Sequence, residues 1–196
     1  MKKLDGHKNI SLNEFYSELA AYCESNKVGK DIYGTGEFLN NFEREVAEAV
    51  GMEEALFLPS GVMAQLIAIK IWGDEKSRHT FACHESCHLI RHEEDAYKEL
   101  LGFDAELVGS KDSVPLVSDL KSLSTKVSSY IHELPMRHLG GDLPSLEELD
   151  KIKKYCHEND IKLHIDGARI FEAACFYECD IKELINGADS MFLSFY

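Results

Sequence analysis

Leu163-His164-Ile165-Asp166-Gly167-Ala168-Arg169 is the stretch from which the rest of the chain is best read. Ile161 to Ile165 predicts a strand, and Asp166-Gly167 stops it with an acidic side chain at its carboxyl end. In open α/β sheets that end is where ligands bind. An aspartate there is placed to pair with a protonated ring nitrogen, and Arg169, three residues on, to grip a carboxylate. The structural alternative has Asp166 capping the following helix and pairing with Arg169.

Outward from this strand, apolar runs alternate with amphipathic helices. Ser145-Leu146-Glu147-Glu148 is a capping box that opens a helix with Leu146, Leu149, Ile152 and Cys156 on one face. Val127 to Glu133 predicts a strand, and His79 to Ala82 a weaker one. Phe38, Leu39, Phe42, Val46 and Val50 recur at helical spacing up to Gly51. Ala55-Leu56-Phe57-Leu58 is a short apolar run stopped by Pro59-Ser60-Gly61, and a helix is expected from Val62 to Trp72, ending at Gly73. Ala188 to Phe195 is the last strand candidate. Strands separated by helices of this length favour right-handed crossovers, so the expected fold is α/β, a mainly parallel central sheet covered by helices on both faces.

The 196 residues carry 21 Lys+Arg against 35 Asp+Glu, a formal net charge of -14. That balance argues against nucleic acid or an anionic membrane as principal partner, while leaving room for a local anion site. The longest stretch without a charged side chain, Ala55 to Ile69, is too short and too broken by Pro59 and Gly61 to span a bilayer. Met1-Lys2-Lys3 turns polar at once, so no signal-peptide core follows. Six scattered cysteines without a secretion signal read as reduced thiols of a cytoplasmic protein. The apolar end at Ala188 to Tyr196 is unusual, because chain ends are normally polar, and the expectation is that the sequence stops inside a domain.

Two further motifs need weighing. His84-Glu85-Ser86-Cys87-His88 fits H-E-x-x-H, which on a helix would bind zinc with the glutamate as base. Chance supplies such a match in about one shuffled chain in twenty, and no glycine follows for the longer zinc pattern. Pro59-Ser60-Gly61-Val62 offers backbone N–H groups at a helix start, where an anion would sit, although the same residues are ordinary turn chemistry. Gly34-Thr35-Gly36 lacks the third glycine of a dinucleotide loop, and no Walker sequence is present.

Taken in order, the segments resemble the threonine aldolase and β-eliminating lyase family, pyridoxal-phosphate enzymes of the aspartate-aminotransferase-like fold. The resemblance rests on Ile32 to Gly36, Phe42 to Gly51, Ala55 to Gly61, His88 with Glu93, Glu133 to Gly141, Leu163 to Arg169, and Ala188 to Ser194. It implies that residues 1–196 are an N-terminal segment plus most of the large cofactor-binding domain, with a small C-terminal domain expected beyond this sequence. It also implies that Ser60, Gly61 and the Val62 backbone hold the cofactor phosphate, joined by Ser194. His88 would stack on the pyridine ring and is a candidate base. Asp166 would pair with the ring nitrogen, Arg169 would contact the ring oxygen or the substrate carboxylate, and Tyr33 would contribute to the substrate pocket, across a subunit interface. Val62 stands where the family commonly has threonine, so a hydroxyl contact is lost and a backbone donor kept. The Schiff-base lysine is expected immediately after Tyr196.

The implied reaction is cleavage of threonine or allo-threonine to glycine and acetaldehyde by a homo-oligomer, with no metal. The alternatives are β-elimination with the same cofactor, and a zinc hydrolase built on His84, Glu85 and His88. The roles of Glu93, Glu133 and Arg137 stay open at this point.

Overall fold

Five parallel strands in the order β2-β1-β3-β4-β5 form the centre of the chain, as the alternating pattern requires. This computed structural model describes residues 10–195. The polar start read from Met1, and Tyr196 at the other end, lie outside the described residues. The strands are β1 (Thr80–Cys83), β2 (Asp104–Leu107), β3 (Ser129–Glu133), β4 (Lys162–Gly167) and β5 (Ser190–Leu193). Helices α1 (Leu12–Ser25), α2 (Glu37–Val50) and α3 (Gly61–Lys76) precede the sheet. Short helices α4 (His88–Arg91), α5 (Ala96–Glu99) and α6 (Val117–Leu120) lie in its first connections, and α7 (Leu146–Glu158), α8 (Ile170–Tyr177) and α9 (Ile181–Ile185) in its last. The contacts divide the chain into two units at residues 45 and 46.

In the N-terminal unit, Ser11 caps α1 by accepting from the Glu14 N–H at 3.2 Å. The loop after it is organised by Asp31, whose carboxylate accepts from the N–H groups of Tyr33, Thr35 and Gly36 at 2.9–3.2 Å. α2 begins here and ends in the second unit, where Gly51 takes φ +74°, a left-handed conformation that costs glycine least.

In the second unit, successive strand residues point to opposite faces, and the core follows that alternation. Ala82, Tyr130, Leu163 and Ile165 pack on one side with Leu149 and Ile152 of α7 and Ile170 of α8. Phe81, Cys83 and Ile131 pack on the other with Ile69 of α3 and Leu89 of α4. Both faces are covered, which is what a buried parallel sheet needs.

Ser145 caps α7 by accepting from the Glu148 N–H at 3.2 Å. The return half of the capping box is absent, because the Glu148 carboxylate accepts instead from the Val117 N–H at 2.7 Å and ties α7 to α6.

Two local readings need correction, and one strand was not read at all. The apolar run Ala55 to Leu58, which fits the alternation of strands and helices, forms no strand: no ladder of the described residues includes it, and Leu56 is 71% and Phe57 50% exposed. α3 does not end at Gly73 but runs to Lys76, closing on Ser77 at φ +51°. Gly73 is buried inside α3 because the Phe103 ring lies against its backbone, where a side chain would collide. Gly73→Ala is therefore expected to lower stability by ~1–3 kcal/mol, since overpacking outweighs the helix-propensity gain of alanine. A urea titration reads this, and an unchanged or raised midpoint would disprove it. The edge strand β2 escapes the pattern altogether, because Asp104-Ala105-Glu106-Leu107 is short, charged and incompletely buried. Glu106 turns from that edge to accept from the Ser124 hydroxyl at 2.8 Å and the Thr125 N–H at 3.0 Å.

Candidate active site

The carboxyl ends of β3, β4 and β5 meet the start of α3 and of α4 around a cleft of about 270 Å³. Its walls include Gly61, Val62, Gln65, His88, Glu133, Arg137, Asp166, Arg169 and Ser194. The parallel register brings the carboxylates together: Glu133 stands opposite Asp166, and Asp166 opposite Phe192.

Asp166 is buried and doubly held. Its Oδ2 accepts from Gln65 Nε2 at 2.9 Å and its Oδ1 from the Ala168 N–H at 3.2 Å. Burial pushes the carboxyl upward, and these two donors, with the charges of His88 and Arg169, pull it back. Gly167 follows because a Cβ there would come within 2.8 Å of the Phe192 carbonyl and force β5 away.

His88 opens α4 and gives Nδ1 to Glu93 Oε1 at 2.8 Å; the Glu93 side chain is wholly buried and the imidazole nearly half exposed. Burial raises the Glu93 carboxyl, and the His88 hydrogen bond opposes that. Glu133 lines the cleft with Oε1 accepting from the Arg137 N–H at 3.1 Å, and burial pushes it up to about 7.

Gly61 and Val62, at the start of α3, line the cleft, and Ser60 just before them is the N-cap but its hydroxyl makes no capping bond. The first-turn N–H groups, which have no partner inside an α-helix, are therefore left for a ligand. A Cβ on Gly61 would approach the Phe192 ring to 2.5 Å, so only glycine lets helix and strand close together here.

Six of the eight residues singled out from sequence therefore line one cleft: Gly61, Val62, His88, Asp166, Arg169 and Ser194. Ser60 is exposed at the helix cap and is not among the lining residues. Tyr33 belongs to the N-terminal unit and is 86% exposed. Gln65 and Phe192 went unnoticed, one as a polar residue in a helical pattern and the other as an apolar strand residue; nothing local marks either as a wall of a site.

The zinc arrangement fails on geometry. Residues 84–87 form a turn after β1, not a helix, and His84 is buried with Nδ1 on the Ser86 hydroxyl and Nε2 on the Ser110 carbonyl, both at 2.8 Å. Among the described residues no group of three or more His, Cys, Asp or Glu is placed to hold a metal ion. The thiols of Cys83 and Cys87 are buried, and the Cys83 hydrogen bond and burial push Cys87 up, so it is not a reactive thiolate.

The model of the beta-eliminating lyase family matches residues 17–196. The chain belongs to the beta-eliminating lyase family. Its relatives within that family include the low specificity L-threonine aldolase of Escherichia coli K12, 29% identical over 169 residues that make up 83% of this chain and 50% of that protein. The corresponding enzyme of Saccharomyces cerevisiae is 32% identical over 154 residues, 75% of this chain and 40% of the relative. A solved structure of a candidate L-allo-threonine aldolase from Listeria monocytogenes superimposes with a TM-score of 0.91 at 40% identity, covering 97% of this chain and 53% of that one. The chain thus spans about half the length of the relatives it matches. The sheet has the same fold as solved threonine aldolase structures.

Proposed function

We propose that this chain is the cofactor-holding part of a pyridoxal-phosphate lyase that cleaves a β-hydroxy-α-amino acid, L-threonine or L-allo-threonine, to glycine and an aldehyde. The observation that carries this reading is the buried, doubly held Asp166 carboxylate on the same cleft as the uncapped start of α3. A ligand with a protonated ring nitrogen and a phosphate matches that donor set, carboxylate at one place and free N–H groups at the other. The E. coli and yeast relatives, named as threonine aldolases, support the substrate class.

In this reading Gly61, Val62 and Ser194 hold the phosphate, with Ser60 at the helix cap beside them. Asp166 keeps a proton on the ring nitrogen, and Gln65 and the Ala168 N–H keep Asp166 ionised. His88, fixed by Glu93, stacks on the ring and is one proton acceptor within reach of a substrate hydroxyl. Arg169 orients the substrate carboxylate, and Tyr33 completes the pocket across a subunit interface. Pyridoxal phosphate, when bound, supplies the electron sink for the bond that breaks next to the α-carbon. A lysine directly after Tyr196, a small C-terminal domain, a homo-oligomeric assembly and a cytoplasmic location belong to the same proposal. Among the described residues no helix is long and apolar enough to cross a membrane.

The test is an absorbance spectrum before and after borohydride, with intact mass, followed by product analysis on threonine. A yellow band lost on reduction, with glycine and acetaldehyde formed, is the expected result. A keto acid in place of glycine would move the assignment to β-elimination, and a colourless protein that takes up no cofactor would overturn the reading. Gln65→Leu is expected to weaken cofactor binding ~10–100-fold, because a hydrogen bond to a buried charge is lost. Equilibrium dialysis against pyridoxal phosphate measures it, and an unchanged Kd would remove Gln65 from the site.

A further inference from the structure

Two acidic residues are partners on one rung of the sheet, Glu133 at the end of β3 and Asp166 near the end of β4, and both line the cleft. Parallel strands lie ~4.8 Å apart, so two full charges on this rung would repel strongly in a partly desolvated place. The donors are divided unequally between them. Both oxygens of Asp166 are engaged, one by Gln65 and one by the Ala168 N–H. Glu133 has the Arg137 N–H on Oε1, while its Oε2 is shielded from solvent and has no partner among the described residues.

We infer that Glu133 and Asp166 act as a single-proton carboxyl pair, with Asp166 holding the charge and Glu133 the proton. A protonated Glu133 removes the repulsion and turns the orphaned oxygen into a donor. The groups around Glu133 support this distribution. Burial first, and then Asp166 on β4, push its carboxyl up to about 7, against the Arg137 N–H, the guanidinium of Arg169 before α8 and His88 of α4. Asp166 is itself raised by burial, and that rise is opposed by its two donors, the Ala168 N–H and Gln65, and by His88 and Arg169.

The pairing stands on the rung alone. Its consequence rests on the proposed function: Asp166 can stay ionised opposite a ring nitrogen because Glu133 takes the proton instead. Glu133 is then a positioning residue for Asp166, and the cleft gains one negative charge as pH rises through neutrality.

Difference infrared spectroscopy over a pH titration of the whole protein, cofactor-free and loaded, reads the protonated carboxyl directly. The wild type is expected to lose one buried carboxyl band with a midpoint near 7 in the cofactor-free form, and Glu133→Gln to lack that band. Asp166→Asn is expected to keep the band and lower its midpoint by about one pH unit, a tenfold change in proton affinity. A band that persists in Glu133→Gln, or a midpoint that Asp166→Asn leaves in place, would overturn the pairing. A protein that shows the carboxyl transition but takes up no pyridoxal phosphate would sink the proposed function and leave the pair standing. A protein that takes up pyridoxal phosphate but shows no carboxyl transition in its cofactor-free form would do the reverse.

Discussion

Asp166→Asn is expected to lower threonine cleavage by ~10³-fold or more while leaving the protein folded. The asparagine has the same shape and can keep a partner in Gln65, but it carries no charge to hold a proton on a ring nitrogen. Losing ~4 kcal/mol of stabilisation from the step that places an electron pair in the ring gives that factor. The stability effect has the opposite tendency. Burial raises the Asp166 carboxyl, so the ionised group is held at a cost in the folded protein and a neutral replacement relieves it. The melting temperature should stay level or rise by ~2–4 °C for each kcal/mol recovered. Steady-state turnover and a thermal melt on the same preparation check both halves. Turnover within tenfold of wild type would take Asp166 out of the mechanism.

The second large effect is on stability in acid. His132 and His164 are buried on the central strands, with Nδ1 bonded to the Tyr130 hydroxyl and the Ser190 hydroxyl at 2.9 and 2.8 Å. Burial holds both imidazoles down at about 4, against 6.5 for a free histidine, and the nearby His84 adds to this for His132. Their folded values lie below the unfolded ones, so the unfolded chain binds protons first. Their contribution is present above about 6.5 and is lost as pH falls towards 4. A difference of ~2.5 pH units is ~3 kcal/mol for each histidine, and two together rival the ~5–15 kcal/mol that holds a typical domain. The protein is therefore expected to unfold cooperatively between pH 4 and 5. Urea titrations across this range should show stability falling by up to two protons' worth of slope, and His164→Gln should remove about one. A stability curve flat from pH 7 to 4.5 would refute the assignment. Glu133 works on the other limb: its value is raised, so its contribution is present below about 4.5 and fades as pH climbs through about 7. Partial exposure of that carboxyl makes this limb shallower than the acid one.

Much of this was legible in the chain as written. The alternation of apolar runs and capped helices was enough for a parallel α/β sheet, because burial on both faces demands those patterns whatever the neighbours are. Asp166 was legible too, since an acidic residue that ends an apolar strand occupies a ligand-binding place by topology alone. Gly61 and Arg169 carried local signals, a helix-start turn and a spacing of three from Asp166, whereas His88 followed only from the order of the segments. The failures share a cause. Ala55 to Leu58 has strand composition but no strand beside it, and Gly73 reads as a helix stop until the Phe103 ring is seen lying on it. Gln65 looks like any helical glutamine, yet it reaches across 101 residues of sequence to Asp166. His84 looks like a metal ligand until Ser86 and Ser110 occupy both its nitrogens. Sequence determines which side chains must be buried and which backbone must turn, because those demands are local. Only the tertiary structure decided which buried polar group meets which partner, and hence that Glu133 and Asp166 share one rung, because that depends on strand register between segments that are neighbours only after folding.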